Sequence, residues 1–297
     1  MIPPRYPAHY APMAEFTSSA RRTSALWRTA LGIIAAVIAY LFGLVLLVVA
    51  VAPMLGIDVT QDSKSLGSRP IEVIFALGSI VPAALGIALV CQRLYLRSAV
   101  TLLGDISRAW TCFGAVLRIT LVLFAGQFLL YLTSPQATAH LPLGQLLFWL
   151  SLALPMILLQ SGAEEVIFRG FLQQQLGARF GSTLIWMALP SALFAVLHYD
   201  PDTFGDFAIF PMIWAFAFGL MAADLTARSG NLGAAIALHF CNNVFALLLF
   251  GTAGNMDGLA LYVAALDPES LAHPLSILFE SLSLLIVWLG ARVALRL

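Results

Sequence analysis

Hydrophobic residues fall into eight long runs separated by short polar, proline or glycine breaks. A run of about 20 apolar residues is long enough to cross a bilayer as a helix. Residues 27–52 form the first run, ending near Pro53, and residues 72–92 the second, opened by Glu72. Residues 110–133 form the third, closed by Ser134-Pro135. Residues 143–178 read as one long helical stretch, apolar at first and amphipathic at its end. Residues 182–199, 209–228, 231–250 and 275–295 supply the rest. The pattern predicts an all-α, polytopic membrane protein with about eight transmembrane helices. It divides into a Pro-, Ser- and Thr-rich arm over 1–24 that reads as disordered, and N-terminal transmembrane helices over 25–140. A polar-bearing core over 141–255 follows, then an outer loop with the last helix over 256–297.

Composition agrees, with 61% hydrophobic and 10% charged residues, against about 25% charged in a soluble domain. Zero formal net charge leaves no footprint for nucleic acid, so membrane lipids are the expected surroundings. Cys91, Cys112 and Cys241 show no metal or redox spacing and read as small apolar packing residues. The first run is too long for a signal peptide and reads as a retained helix. Arginines mark one side: Arg21, Arg22 and Arg28, then Arg93, Arg97 and Arg108, then Arg179, Arg228, Arg292 and Arg296. The opposite connections hold aspartates, and Lys64 with Arg69 dilutes the bias in the first of them. Both termini are therefore expected on the cytoplasmic face.

Against that background Glu164 and Glu165, followed by Arg169, stand inside the apolar text LQSGAEEVIFRGF. An ionisable side chain at membrane depth costs roughly 2.5 kcal/mol or more, so such groups tend to be functional or internally paired. His198 ends SALFAVLH one turn after Phe194, and His239 with Asn243 lies in LHFCNNVF. His239 and Asn243 are four apart and share a helix face. Spans four and five turn near residue 181, with Glu164 and His198 each 17 residues away. That places both roughly 25 Å along their helices, and His239 and Asn243 roughly 14 to 20 Å beyond a turn near Gly230. The clusters meet at one depth if residues 170–180 form an interfacial amphipathic segment.

Such a meeting suits activation of water. A glutamate serves as general base, a histidine orients the water or carries its proton, and imidazole and Asn243 amide groups stabilise an oxyanion. Glu164, His198 and His239 equally suit an open Zn²⁺ site with water as fourth ligand. Both schemes hydrolyse an amide, and both stay open at this point. Arg169 pairs naturally with one carboxylate. The rival reading is a non-catalytic membrane immunity or scaffold protein, whose polar cluster only fixes helix packing. A proton-relay transporter lacks its expected inverted halves.

Glu164-Glu165-x-x-x-Arg169, Phe194-x-x-x-His198 and His239-x-x-x-Asn243 resemble, in order, the signature motifs of the CPBP family of intramembrane proteases. That family includes type II CAAX prenyl endopeptidases and bacteriocin-processing Abi proteins. The segment ARSGNLGAAIALHFCNN also resembles its last motif, and the likeness covers residues 145–250, about a third of the chain. The resemblance implies a catalytic cavity inside the bilayer and open to the cytoplasm. In it Glu164 would activate water with His198, and His239 and Asn243 would support the tetrahedral intermediate. Glu165 and Arg169 would complete or stiffen the site, with Phe194 in support. The resemblance does not supply the substrate; a cavity reached from the bilayer leads to the expectation of a membrane-associated, hydrophobic or lipidated polypeptide, and a bacterial plasma membrane is the expected location. The family has been described both as metalloprotease and as glutamate protease, so the resemblance leaves zinc undecided.

Overall fold

A computed structural model of the protein describes residues 4–59, 67–265 and 267–297. Lys64 lies outside the described residues. Apolar helices stand where the hydrophobic runs predict them. They are α1 (Leu26–Met54), α2 (Pro70–Arg93), α3 (Ile106–Tyr131), α4 (Leu143–Arg179), α5 (Leu184–Val196), α6 (Ile209–Ser229), α7 (Gly233–Leu249) and α8 (Pro274–Ala294). Six of them are long and apolar enough to cross a membrane; α5 and α7 are shorter. At 1.5 Å per residue these two reach roughly 20 and 25 Å, short of a hydrocarbon core of about 30 Å. Among the described residues, then, six helices have the length of a crossing where the runs suggested eight.

Local chemistry explains where the helices begin. Glu72 accepts from the Arg69 backbone N–H at 3.0 Å and from Arg69 Nε at 2.6 Å, so the carboxylate that opens the second run caps α2. The Asp105 side chain accepts from Arg108 N at 2.7 Å at the start of α3. Gly230, at φ 71°, takes the left-handed conformation that stops α6 and turns the chain into α7. Helix α7 then runs close against α3: a Cβ added at Gly233 would stand 1.9 Å from the Ala109 carbonyl oxygen.

The main core lies where α4, α5, α6 and α7 meet, around Phe168, Phe194, Phe218, Leu225 and Leu238. A second cluster holds α1 and α2 on α4, through Ala36, Ile87, Leu102 and Phe171. One feature has no trace in the hydrophobic pattern, a small sheet of β1 (Thr138–Ala139), β2 (Phe250–Thr252) and β3 (Tyr262–Ala264). Its order is β1-β3-β2, with β3 antiparallel to β1 and parallel to β2. Strands of two or three residues are too short to show an alternation.

Two expectations are overturned. Residues 4–24 are an ordered arm of short helical turns rather than a disordered one. Met13, Phe16 and Tyr10 are buried, and Tyr10 and Tyr6 meet the Trp186 ring edge-on at 5.4 and 6.0 Å. Residues 170–178 are buried, not interfacial, because that arm covers them. Gln174 Nε2 donates to the Phe16 carbonyl at 2.7 Å, and Gln175 Nε2 to the Thr23 carbonyl at 3.2 Å. A row of glutamines that resembles a wet helix face is instead the seam on which the arm is fastened.

Candidate active site

Helix α4 carries the acidic pair, and its backbone widens into π-helical turns over Val166–Gln173 directly afterwards. Such widened turns recur at functional sites, because they redirect side chains that an α-helix would place elsewhere. Successive helix residues point about 100° apart, and the two glutamates accordingly go separate ways.

Glu165 and Arg169 are fully buried and paired, with Arg169 Nη1 3.0 Å from Glu165 Oε1. Arg169 Nη2 also donates to the Gly219 carbonyl of α6 at 3.1 Å. Its guanidinium stacks over the Phe194 ring at 4.8 Å. Glu165 Oε1 additionally takes His239 Nδ1 at 2.8 Å. A carboxylate only accepts, so Nδ1 of His239 is the donor and Nε2 is left facing Glu164 Oε2 at 3.6 Å. At that separation a bridging water or a proton passed between the two groups links them.

Glu164 keeps 17% of its side chain exposed. Its Oε1 accepts from Gln160 Nε2 at 2.6 Å. Gln160 in turn accepts at Oε1 from Asn243 Nδ2 at 2.8 Å, and Asn243 also reaches Ser161 Oγ at 3.4 Å. Asn243 therefore joins the site through Gln160 and makes no hydrogen bond to Glu164 itself.

His198 lies just past the end of α5 and is exposed. Its Nδ1 sits 2.9 Å from the Phe194 carbonyl, an acceptor, which leaves Nε2 free. Phe194 is the hub: its ring lies 4.4 Å from that of His198 and 6.0 Å from that of His239, beneath Arg169. Glu164, Phe194 and His198 line one cavity of about 610 Å³ between α1, α2, α4 and α5, walled also by Ile33, Tyr40 and Phe171. His239 and Asn243 are not among its lining residues.

The residues that the sequence singled out thus gather around one point, with Glu164 and His198 on the cavity and Glu165, Arg169, His239 and Asn243 behind. Gln160, Ser161 and the Gly219 carbonyl were not foreseen. The available signal was spacing: Gln160 is one turn before Glu164, as Arg169 is one turn after Glu165. Glu164, His198 and His239 do not close into a zinc site. Among the described residues no three His, Cys, Asp or Glu side chains come together as metal ligands.

No solved structure matches the chain. The uncharacterized protein YyaK of Bacillus subtilis (strain 168) is 26% identical over 222 residues, which is 73% of this chain and 73% of YyaK. Residues 144–245 match the family described as "Type II CAAX prenyl endopeptidase Rce1-like". The segment that holds Gln160, Glu164, Glu165, Arg169, Phe194, His198, His239 and Asn243 is therefore the one that matches the Rce1-like family, and it lies within an integral membrane protein.

Proposed function

We propose that the protein is an intramembrane endopeptidase that cuts hydrophobic or lipidated polypeptides with a water activated between Glu164 and His198. The observation that carries this reading is the shared cavity: a partly exposed carboxylate and an imidazole with a free Nε2 face the same space, backed by a fully buried ion pair. Glu164 takes a proton from water as its oxygen attacks the peptide carbonyl carbon, and His198 Nε2 orients that water. His239, fixed by Glu165, stands behind Glu164 with Nε2 3.6 Å from its Oε2 and keeps that carboxylate in place. The proton passes from Glu164 to the amide nitrogen as the carbon–nitrogen bond breaks, releasing an acid and an amine. Glu165 and Arg169 hold His239 in place, and Asn243 positions Glu164 through Gln160. The route needs no metal. The cavity lies among membrane-spanning helices, which supports substrates that reside in or on the bilayer. The arginine distribution supports cytoplasmic termini, and a bacterial plasma membrane is the proposed location.

The test incubates purified protein with a panel of lipidated and hydrophobic peptides and maps products by mass spectrometry. Cleavage is expected from the wild type and lost in Glu164→Gln and His198→Ala. Cleavage that survives in both variants overturns these roles. A folded wild type that cuts nothing on the panel favours the immunity or scaffold reading instead.

A further inference from the structure

Beyond its first turn helix α3 carries one charged side chain, Arg118. It stands 12 residues after Ile106 and 13 before Tyr131, at the middle of a helix long enough to cross a membrane. At 1.5 Å per residue it lies roughly 18 Å from one end and 20 Å from the other. The exposed Trp110, two turns earlier, marks one membrane edge. The buried residues of α3 are Val116, Thr120 and Phe124. Thr120 Oγ1 donates to Cys241 Sγ of α7 at 3.0 Å, and the Phe124 ring stacks on that of Phe245 at 5.3 Å. Successive helix residues turn by about 100°, so Arg118 stands roughly 160° round from Thr120. It is exposed and points away from the rest of the protein.

Among the described residues Arg118 makes no hydrogen bond and no ion pair. A charged side chain in the middle of a span is expensive, and such residues almost always face a bundle interior or a water-filled cavity. Arg118 faces outward instead. It sits at the centre of a stripe formed by Thr111, Ala115, Arg118, Val122, Ala125 and Leu129, spaced alternately by four and three. All of these are exposed except the half-buried Ala115. Such spacing makes the seam along which two helices lie side by side. The alanines on either side of Arg118 let a second backbone come close.

We propose that this face of α3 docks a membrane-spanning helix of another protein, one that carries an Asp or Glu near its middle, with Arg118 as the counter-charge. A guanidinium is a planar fork that meets a carboxylate with two parallel hydrogen bonds. A lipid phosphate fits this place less well. Snorkelling to the headgroups serves residues near helix ends, and the next cation along α3, Arg108, is taken by Glu15 at 3.1 Å. A second copy fits less well too, because two-fold pairing across the stripe sets Arg118 against Arg118. The carboxylates within the membrane-length helices, Glu72, Glu164, Glu165, Asp224 and Glu280, all hold partners in their own chain. Arg118 lies outside the cavity that holds Glu164, so docking and cleavage can fail independently.

The probe is a synthetic membrane-spanning peptide of Leu and Ala with one central Glu, carrying a donor dye. Its counterparts carry Leu, Gln or Lys at that place. The full chain, with an acceptor dye at its C-terminus, is reconstituted with each peptide in phosphatidylcholine vesicles. Energy transfer is expected to show the Glu peptide bound about tenfold or more tightly than the Leu peptide. Arg118→Leu should erase that difference and keep the wild-type unfolding midpoint in detergent, since no hydrogen bond or ion pair is lost. Arg118→Glu should transfer the preference to the Lys peptide. A benzophenone side chain placed at the exposed Val122 should crosslink the Glu peptide, and one at the exposed Ile286 of α8 should not. Equal binding of the Glu and Leu peptides overturns the proposal. So does a preference that survives Arg118→Leu, or a lowered unfolding midpoint in that variant. Arg118-dependent transfer from labelled phosphatidylglycerol, with no preference among the peptides, overturns it in favour of a lipid headgroup. The same dependence between two labelled copies of the chain, again with no peptide preference, overturns it in favour of self-association.

Discussion

His239 Nδ1 lies 2.8 Å from Glu165 Oε1, and that contact divides the work of two adjacent glutamates. Glu165 is spent on holding His239 and neutralising Arg169, all of it out of solvent. Glu164 is left with a neutral hydrogen-bond partner and an opening to the cavity. Identical side chains one residue apart thus face different surroundings, one a buried ion pair and the other an open cavity.

Substitution separates the two roles. Glu165→Gln strands the Arg169 charge in the interior, and breaking a buried pair this way costs about 3–5 kcal/mol. Glu164→Gln keeps an acceptor for Gln160 and should move stability by less than about 1 kcal/mol. Its cleavage rate should nevertheless fall on the order of a thousandfold, as expected for loss of a general base. Thermal unfolding in detergent followed by circular dichroism, read beside peptide cleavage, checks both. If Glu164→Gln unfolds as readily as Glu165→Gln, the division of roles is wrong.

Gln160 should act on turnover and not on substrate affinity. Its amide joins Asn243 to Glu164 through contacts of 2.8 and 2.6 Å. Gln160→Leu leaves Asn243 with Ser161 and frees the Glu164 carboxylate to rotate. Misplacement of a reacting group by an ångström can cost about a hundredfold. The expected result is a fall of that size in kcat with KM unchanged. A rise in KM at constant kcat would make Gln160 a substrate-binding residue instead.

The parts legible in the sequence were those fixed by local rules. Span positions follow from apolar run length, so α1 to α4, α6 and α8 begin and end close to where the runs do. The equal spacing of Glu164 and His198 about residue 181 correctly brings both to one cavity. What stayed hidden depends on distant partners. The arm over 4–24 has the composition of a disordered tail, yet Tyr10, Met13 and Phe16 are buried only because α4, α5 and α6 offer them a groove. Gln173, Gln174 and Gln175 suggest a wet surface because nothing local announces the carbonyls of Ala223, Phe16 and Thr23 that satisfy them. Asn243 illustrates both cases, since its helix face was readable and its partner was not.

The arm should show itself in alkaline stability. Tyr10 donates its hydroxyl to Asp224 Oδ1 at 2.8 Å, where Arg228 Nε and Trp288 Nε1 also converge. Burial, and next the hydrogen bond to the Asp224 carboxylate, push the Tyr10 hydroxyl up to about 12. The unfolded value is about 10. A folded-state value raised in this way gives stability that is fully present below pH of about 10 and is lost as pH climbs through about 12. Tyr10→Phe should cost about 1 kcal/mol at neutral pH. It should also show a shallower decline across that alkaline window. Unfolding midpoints measured against pH for both proteins decide the matter, and superimposable slopes remove Tyr10 from the account.

Removing metal should leave cleavage intact. A catalytic zinc takes three protein ligands and a water, at about 2.0–2.2 Å from nitrogen or oxygen donors. Here His239 Nε2 and Glu164 Oε2 face each other, but His198 does not gather with them into a third donor, and His239 Nδ1 is committed to Glu165. Among the described residues, Asp224, Asp257 and Glu280 belong to no metal-ligand set either. Activity should therefore persist after dialysis against a strong chelator, with metal content by mass spectrometry well below one ion per chain. Loss of activity that Zn²⁺ alone restores would overturn the metal-free route and require His198 to swing toward Glu164. Cobalt substitution distinguishes that outcome from mere stabilisation, because a bound Co²⁺ with His and Glu ligands reports its coordination in visible absorption, whereas a metal that only stabilises the fold leaves the His198→Ala spectrum unchanged.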